Sequence, residues 1–277
     1  MSPLWSVDNF VLLRKLYEGS LSVVCQARHK QSGRTVALKV YKRSRLHDME
    51  RFQLAREICL HIRLLHPNIV SLYAAWKDSK YVYLALEWVP GGNLFDLMVK
   101  RGGKLPEQEA APIALALFKS LAYLHSHNFI HRDVKLENIV LNEQNQVKLC
   151  DFGLAIDQTF EPANTRLGTF GYFAPEISPF DYKGDYRVRG YNCKVDCWSA
   201  GVVTYELLTG RAPFGAASVA MVLEAIRTRA LEFPAHLSPD ASDFLTCALT
   251  RNPLDRPSAA ALVEHSWFAS CTQAMHT

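Results

Sequence analysis

His131-Arg132-Asp133-Val134-Lys135-Leu136-Glu137-Asn138 packs acids, bases and an amide into one short run, and Asp151-Phe152-Gly153 follows it. Between them lie NIVLN and QVKLC, two alternating apolar runs that predict a small hairpin with polar residues at its ends. Alone, an Asp near a His is an ordinary surface or capping residue.

On the C-terminal side, helical patterns dominate. EQEAAPIALALFKSLAYLHSH reads as a helix, and the apolar CWSAGVVTYELLTG as a buried one ended by Gly210. On the N-terminal side, FVLLRKLYEG, SVVCQARH and TVALKVYK alternate or run apolar between Ser-Gly turns and predict a small sheet. ERFQLAREICLHIRLLH carries Phe52, Ile58, Ile62 and Leu65 at helical spacing and predicts a helix ended by Pro67. Two further strand-like runs, IVSLYAAW and YVYLALEWV, stop at Pro90-Gly91-Gly92, a breaker cluster fit to join two lobes.

A hydrophobic content of 49% over 277 residues is ample for a packed core. No apolar run is long enough to span a bilayer, and the start MSPLWSVDNF lacks the basic cluster and apolar stretch of a secretory leader. The seven cysteines are scattered and without a C-x-x-C pair, which predicts reduced thiols and an intracellular protein of the cytoplasm or nucleus. Cys193 and Cys197 are the only close pair. A zinc site there needs further ligands that His125, His127 and His131 do not supply, so structural thiols are expected. The net charge of +4, without a block of like charges, argues against a nucleic-acid partner.

The octet with the following Asp-Phe-Gly resembles the protein kinases. The resemblance runs from about Phe10 to Phe268. It implies an α+β, bilobal protein-kinase fold, with a small antiparallel-sheet N-lobe bearing one helix over 10–89, a larger mainly helical C-lobe over 90–268, and short tails at 1–9 and 269–277. It also implies transfer of the γ-phosphate of ATP, with Mg²⁺, to a protein hydroxyl, a reaction that asks the protein for positioning and charge neutralisation. Asp133 is then the catalytic base, and Lys135 balances charge on the γ-phosphate. Asn138 and Asp151 are the oxygen ligands of Mg²⁺. VALKV resembles the family's strand-lysine motif, so Lys39 is expected on the α- and β-phosphates, paired with Glu57 of AREI.

Further segments fit the same family. Gly168-Thr169-Phe170-Gly171-Tyr172-Phe173-Ala174-Pro175-Glu176 resembles the end of its activation loop. Asp196-Cys197-Trp198-Ser199-Ala200-Gly201 resembles a helix start, and Arg256 is expected to pair with Glu176. Lys135 with Thr169 resembles the serine/threonine branch. WSVDNF, RHKQSGRTVALKV and AREICLHIRLLHPNIVSLY resemble the Aurora group. In that comparison Leu86 is the gatekeeper and Glu87-Trp88-Val89 the hinge, and Leu16, Gly19, Val24, Ala37, Lys39, Leu86, Glu87, Val89 and Val140 are the nucleotide-binding residues.

The glycine-rich loop departs from the pattern: Tyr17 and Ser22 replace two glycines around Gly19, which restricts a loop whose backbone approaches phosphates. A scaffolding or nucleotide-binding pseudokinase is therefore the alternative to an active enzyme. Arg132 resembles the arginine that pairs with a phosphorylated activation loop, and Thr165 is the matching acceptor. Glu137 and Glu206 stand where basophilic kinases attract arginine before the acceptor, and Asn93 where some carry a third acid. Expected partners are protein substrates with basic residues and an activating protein, for a monomeric domain that binds neither nucleic acid nor membrane. The segment SPFDYKGDYRVRGYNCKV predicts a long surface connection with a docking role as one option.

Overall fold

Alternating apolar residues between Phe10 and Glu87 build an antiparallel sheet, and helices predominate among the described residues that follow. A computed structural model describes residues 5–177, 190–269 and 271. Most of the connection at 177–195 and parts of both tails lie outside the described residues. Two compact units are separable, Met1–Pro90 and Gly91–Thr277. Among the described residues, no helix is long and apolar enough to cross a membrane.

The first unit contains β1 (Phe10–Glu18), β2 (Ser22–His29), β3 (Thr35–Lys42), α1 (Asp48–His61), β4 (Leu72–Lys77) and β5 (Tyr81–Glu87). The strands form one five-stranded sheet in the order β1-β2-β3-β5-β4. Pleat alternation divides β3 between two cores. Val36 and Leu38 join Phe10, Ala27, Tyr83 and Ala85 under a layer that includes Trp5 and Trp76. Tyr41 joins Leu46, Leu54 and Leu84, so Lys39, two residues from Tyr41, stands on the face covered by α1.

The helix α1 differs from its sequence expectation in length and in face. It ends at His61 rather than at Pro67. Phe52, Ile62 and Leu65 are exposed, while Leu54, Glu57, Leu60 and His61 are buried. Apolar periodicity misleads here because two polar residues have interior partners. Glu57 meets Lys39 and Tyr41, and the His61 imidazole Nε2 lies 2.6 Å from the Val70 carbonyl. A buried polar group with such partners escapes the desolvation penalty that excludes it elsewhere.

The second unit begins with α2 (Leu94–Lys100) and α3 (Glu107–Ser126). Asn93 caps α2 by accepting the Asp96 N–H at 2.8 Å, which gives this position a local structural role. Four short strands follow. β6 (Phe129–Ile130) pairs with β9 (Ile156–Asp157), and β7 (Ile139–Leu141) pairs with β8 (Val147–Leu149) as the expected hairpin. Then come α4 (Lys194–Thr209), α5 (Val219–Thr228), α6 (Pro239–Ala248) and α7 (Ala259–Val263). α4 is buried along most of its length, and Gly210 ends it at φ 75°, a left-handed position that glycine adopts without a Cβ penalty. The fold class is α+β, as the sequence predicts.

Candidate functional site

In the first unit the register of β2, β3 and β5 sets Val24 opposite Lys39 and Ala37 opposite Leu86. Cross-strand partners point to the same face, so these four side chains share one. Lys39 Nζ donates to Glu57 Oε1 at 3.0 Å, with the side chains 12% and 4% exposed. Tyr41 donates its hydroxyl to the other oxygen, Glu57 Oε2, at 3.0 Å, and Lys39 Nζ stands 5.4 Å from the Tyr41 ring centroid. Tyr41 therefore fixes the carboxylate that holds the lysine, a role invisible in the sequence.

The turn between β1 and β2 closes with the Gly19 N–H on the Ser22 carbonyl at 2.9 Å. The Tyr17 ring packs onto Gly19: a Cβ there would lie 3.1 Å from the Tyr17 ring edge. Leu16 and Tyr17 are themselves exposed. At the end of β5, the Glu87 N–H donates to the Ser71 carbonyl at 2.8 Å, and its carboxylate accepts the Ser71 N–H at 3.1 Å.

In the second unit the loops after β6 and β8 carry the acids. Arg132 and Asp151 have φ of 69° and 63°, values that non-glycine residues hold only where surrounding structure enforces them. For Arg132 the enforcing group is Asp196. Its carboxylate accepts the N–H groups of His131 and Arg132, each at 2.9 Å, and Nε2 of His125 at 3.0 Å. Burial works against charge on this pair, but their mutual hydrogen bond overrides it: Asp196 is held below the usual carboxylate range and His125 well above the usual imidazole value. Among the sequence's zinc candidates, His125 thus serves Asp196, and His131 Nε2 contacts the Cys150 carbonyl at 3.1 Å.

Asp133 gathers three side chains. Lys135 Nζ donates to Oδ2 at 2.7 Å and Asn138 Nδ2 to the same oxygen at 2.9 Å. Thr169 donates its hydroxyl to Oδ1 at 2.9 Å and accepts from Lys135 Nζ at 3.1 Å. Thr169 reaches this place because Gly168 precedes it. Gly168 has φ 125°, and a Cβ would come within 2.6 Å of the Arg132 carbonyl. Only glycine allows that approach.

The β7–β8 hairpin brings the remaining pair to one end. Ile139 pairs with Leu149, and the Cys150 N–H donates to the Asn138 carbonyl at 2.9 Å, which leaves Asp151 one residue further on. Phe152 is buried against the His131 ring edge, centroids 5.0 Å apart. Val140, on β7, is half-buried.

Arg132 is buried, and its guanidinium donates to the Leu154 carbonyl at 2.6 Å, to the hydroxyl of exposed Thr165 at 2.7 Å and to Tyr191 at 3.3 Å. Tyr191 in turn donates to the Thr165 carbonyl at 2.8 Å. The Thr165 hydroxyl thus accepts from Arg132, the arginine that the resemblance sets beside it. Tyr191 is an addition that no local sequence signal announces.

Tyr172 donates its hydroxyl to Glu206 at 2.8 Å. Burial raises the Glu206 pKa to about 7, the Tyr172 hydrogen bond lowers it in part, and the nearby Glu137 charge raises it again. Since the folded-state value lies above the ordinary one, Glu206 favours folding most below about pH 4.5. That contribution is lost as pH rises through 7. Glu206→Gln removes the cost of ionising this group, so it is expected to stabilise the chain at pH 8 by up to about 3 kcal/mol and to change little at pH 4.5. Thermal melts of both proteins across this range measure the effect. A variant melting no higher than the parent at pH 8 would contradict it.

The chain is similar to known proteins along nearly its whole length. The family model described as "Protein kinase domain" matches residues 10–268. An Aurora kinase of Encephalitozoon cuniculi is 33% identical over 96% of this chain and 96% of its own length. An Aurora kinase of Dictyostelium discoideum is 33% identical over 95% of this chain and 66% of its own length. A probable serine/threonine-protein kinase of the same organism is 36% identical over 96% of this chain, which spans 31% of that longer protein. With Lys39 held by Glu57 and with Lys135, Asn138 and Thr169 gathered on Asp133, the chain belongs to the protein kinase family, and Aurora kinases and other serine/threonine kinases are among its relatives.

Proposed function

We propose that this chain transfers the γ-phosphoryl group of Mg-ATP to serine or threonine hydroxyls of protein substrates. The observation that carries this reading is the ring of Lys135, Asn138 and Thr169 on the Asp133 carboxylate. A carboxylate held by three donors keeps one orientation, which suits a base that must align a hydroxyl and take its proton. Lys135, already beside that oxygen, neutralises charge on the transferred group. Thr169, bonded to both Asp133 and Lys135, positions them for an aliphatic hydroxyl.

Asn138 and Asp151 fit a magnesium ion by donor chemistry, since both offer hard oxygen atoms. Asn138 turns its amide nitrogen to Asp133, and this leaves its carbonyl oxygen as the atom for the cation. When bound, the ion neutralises phosphate charge. Lys39, fixed by Glu57 and Tyr41, binds the α- and β-phosphates. Val24, Ala37, Leu86 and Val89, with Leu16, Gly19, Glu87 and Val140, contact the nucleotide. Glu137 and Glu206 favour substrates with arginine before the acceptor. The cysteines, none of them in a disulfide, fit a reducing, intracellular compartment.

The second reading, a pseudokinase, draws on the Tyr17 ring packed over Gly19. One assay separates the two: the purified chain is incubated with Mg-ATP and a basic serine/threonine peptide beside an Asp133→Asn control. Phosphate incorporation above the control supports transfer, and incorporation equal to it favours the pseudokinase.

Thr165 is the proposed regulatory acceptor. A phosphate there would place a dianion against Arg132, whose guanidinium already contacts the hydroxyl. Mass spectrometry of active protein is expected to find phosphate on Thr165, and Thr165→Ala to lower the rate by about 10- to 100-fold. Full activity from protein without phosphate at this residue would remove the proposal.

A further inference from the structure

Away from the acids of the β6–β9 region, helix α6 carries Asp243 and Cys247 one turn apart on the same side. His265 introduces the Ser266–Phe268 turn. One ligand atom from each of these three residues lies within 4.8 Å of the other two. His265 Nε2 is 3.2 Å from Asp243 Oδ2. The imidazole is set in place from its other sides. Nδ1 accepts the Trp267 N–H at 3.2 Å, and the ring stands edge-on to Phe244 with centroids 5.3 Å apart. Ser266 adds a bond from its hydroxyl to Asp240 at 3.1 Å. The His265 side chain is 13% exposed and that of Asp243 70%.

We propose that Asp243, Cys247 and His265 form a binding site for a borderline divalent cation, zinc in the first instance, which clasps α6 to the terminal turn. The donor set decides the class of ion. A thiolate and an imidazole with one carboxylate suit zinc, whereas magnesium and calcium take oxygen ligands almost alone. The spacing also fits. Tetrahedral zinc with bonds of roughly 2.0–2.3 Å separates its ligand atoms by about 3.3–3.6 Å, close to the observed histidine–aspartate distance. Cys247 and the exposed Asp243 close the remainder by side-chain rotation. Three protein ligands leave the fourth position to water.

Binding shifts protons in a defined way. The Cys247 thiol releases one to solvent, and the neutral imidazole carries its own on Nδ1 once Nε2 faces the ion. That proton ends the 3.2 Å bond from Trp267 and would face its N–H donor, so the ring must turn away from Trp267 as the metal–nitrogen bond forms. Without a thiol at 247, the aspartate–histidine hydrogen bond would be a complete clasp by itself. The sulfur is what turns the pair into a ligand set.

The test uses the full chain with zinc or cobalt(II) alone. One zinc per chain is expected after dialysis, together with a raised Tm and, for the cobalt form, a near-ultraviolet sulfur-to-metal absorption band. Cys247→Ser is expected to weaken zinc at least about 100-fold and to abolish the band, and Asp243→Asn to weaken zinc roughly tenfold. Cys59→Ser, at an exposed thiol elsewhere, keeps both. The oxygen ligands Asn138 and Asp151 cannot produce a sulfur band, so the readout is independent of kinase activity. Absence of stoichiometric zinc in the parent chain, or a band and affinity that survive in Cys247→Ser, would overturn the site and leave a simple hydrogen-bonded clasp.

Discussion

Asp133→Asn is expected to slow phosphate transfer to a basic serine/threonine peptide by about 10²–10⁴-fold, the usual worth of a positioned general base. Tm should move by no more than about 2 °C. The two expectations come from the same hydrogen bonds. Asn keeps the shape of Asp and one acceptor oxygen, which can serve Lys135 and Asn138 as Oδ2 does now. Its amide nitrogen then faces Thr169, whose hydroxyl can rotate to accept where it now donates. The packing therefore survives, while the capacity to take a proton is gone. The KM for ATP should change little, because the proposed α- and β-phosphate contact is Lys39 on β3, held by Glu57 and Tyr41. Steady-state kinetics with both substrates, beside melts of both proteins, measure these effects. A variant that keeps more than a tenth of the parental rate would exclude Asp133 as the base.

How much of this was legible in the sequence depends on the range of the interaction. The strands were legible because period-2 alternation and Ser-Gly turns are local signals, and β1, β2 and β3 occupy the predicted runs. The buried face of α1 is not legible, because Glu57 and His61 occupy interior positions that apolar periodicity assigns to Ile62 and Leu65. The Asp133 cluster was legible in part. Lys135 and Asn138 are sequence neighbours, but Thr169 arrives 36 residues later through a turn that only Gly168 permits. Asp196 illustrates the opposite limit. It holds the His131 and Arg132 amides from 65 and 64 residues away, and nothing near it in sequence says which backbone it will bind. The phenols of Tyr41, Tyr172 and Tyr191 are illegible for the same reason: each shares a hydrogen bond with an ionisable residue, Glu57, Glu206 and Arg132 in turn, from a distant part of the chain.

Arg256→Met is expected to be the most destabilising of these substitutions. Arg256 has no solvent exposure. Its guanidinium forms a fork with Glu176 at 2.8 and 2.9 Å and also donates to the carbonyls of Lys194 at 2.8 Å, Thr250 at 2.8 Å and Arg251 at 3.2 Å. It lies over the Trp198 ring, 5.2 Å from the centroid. Removing one partner of a buried pair costs about 3–5 kcal/mol, because the other charge stays behind without compensation. Here three carbonyls lose a donor as well. The expected fall in Tm is roughly 10–15 °C for a unit of this size. Glu176→Gln should cost much less, since the amide oxygen still accepts from Arg256 and the three carbonyl bonds remain. The double variant Glu176→Gln with Arg256→Met should melt higher than the sum of the single effects predicts, because the stranded charge is gone. Equal losses from the two single variants would mean that the pair's charge, rather than the arginine's several anchors, sets the cost. A fall below about 2 °C for Arg256→Met would mean that neither matters to this fold.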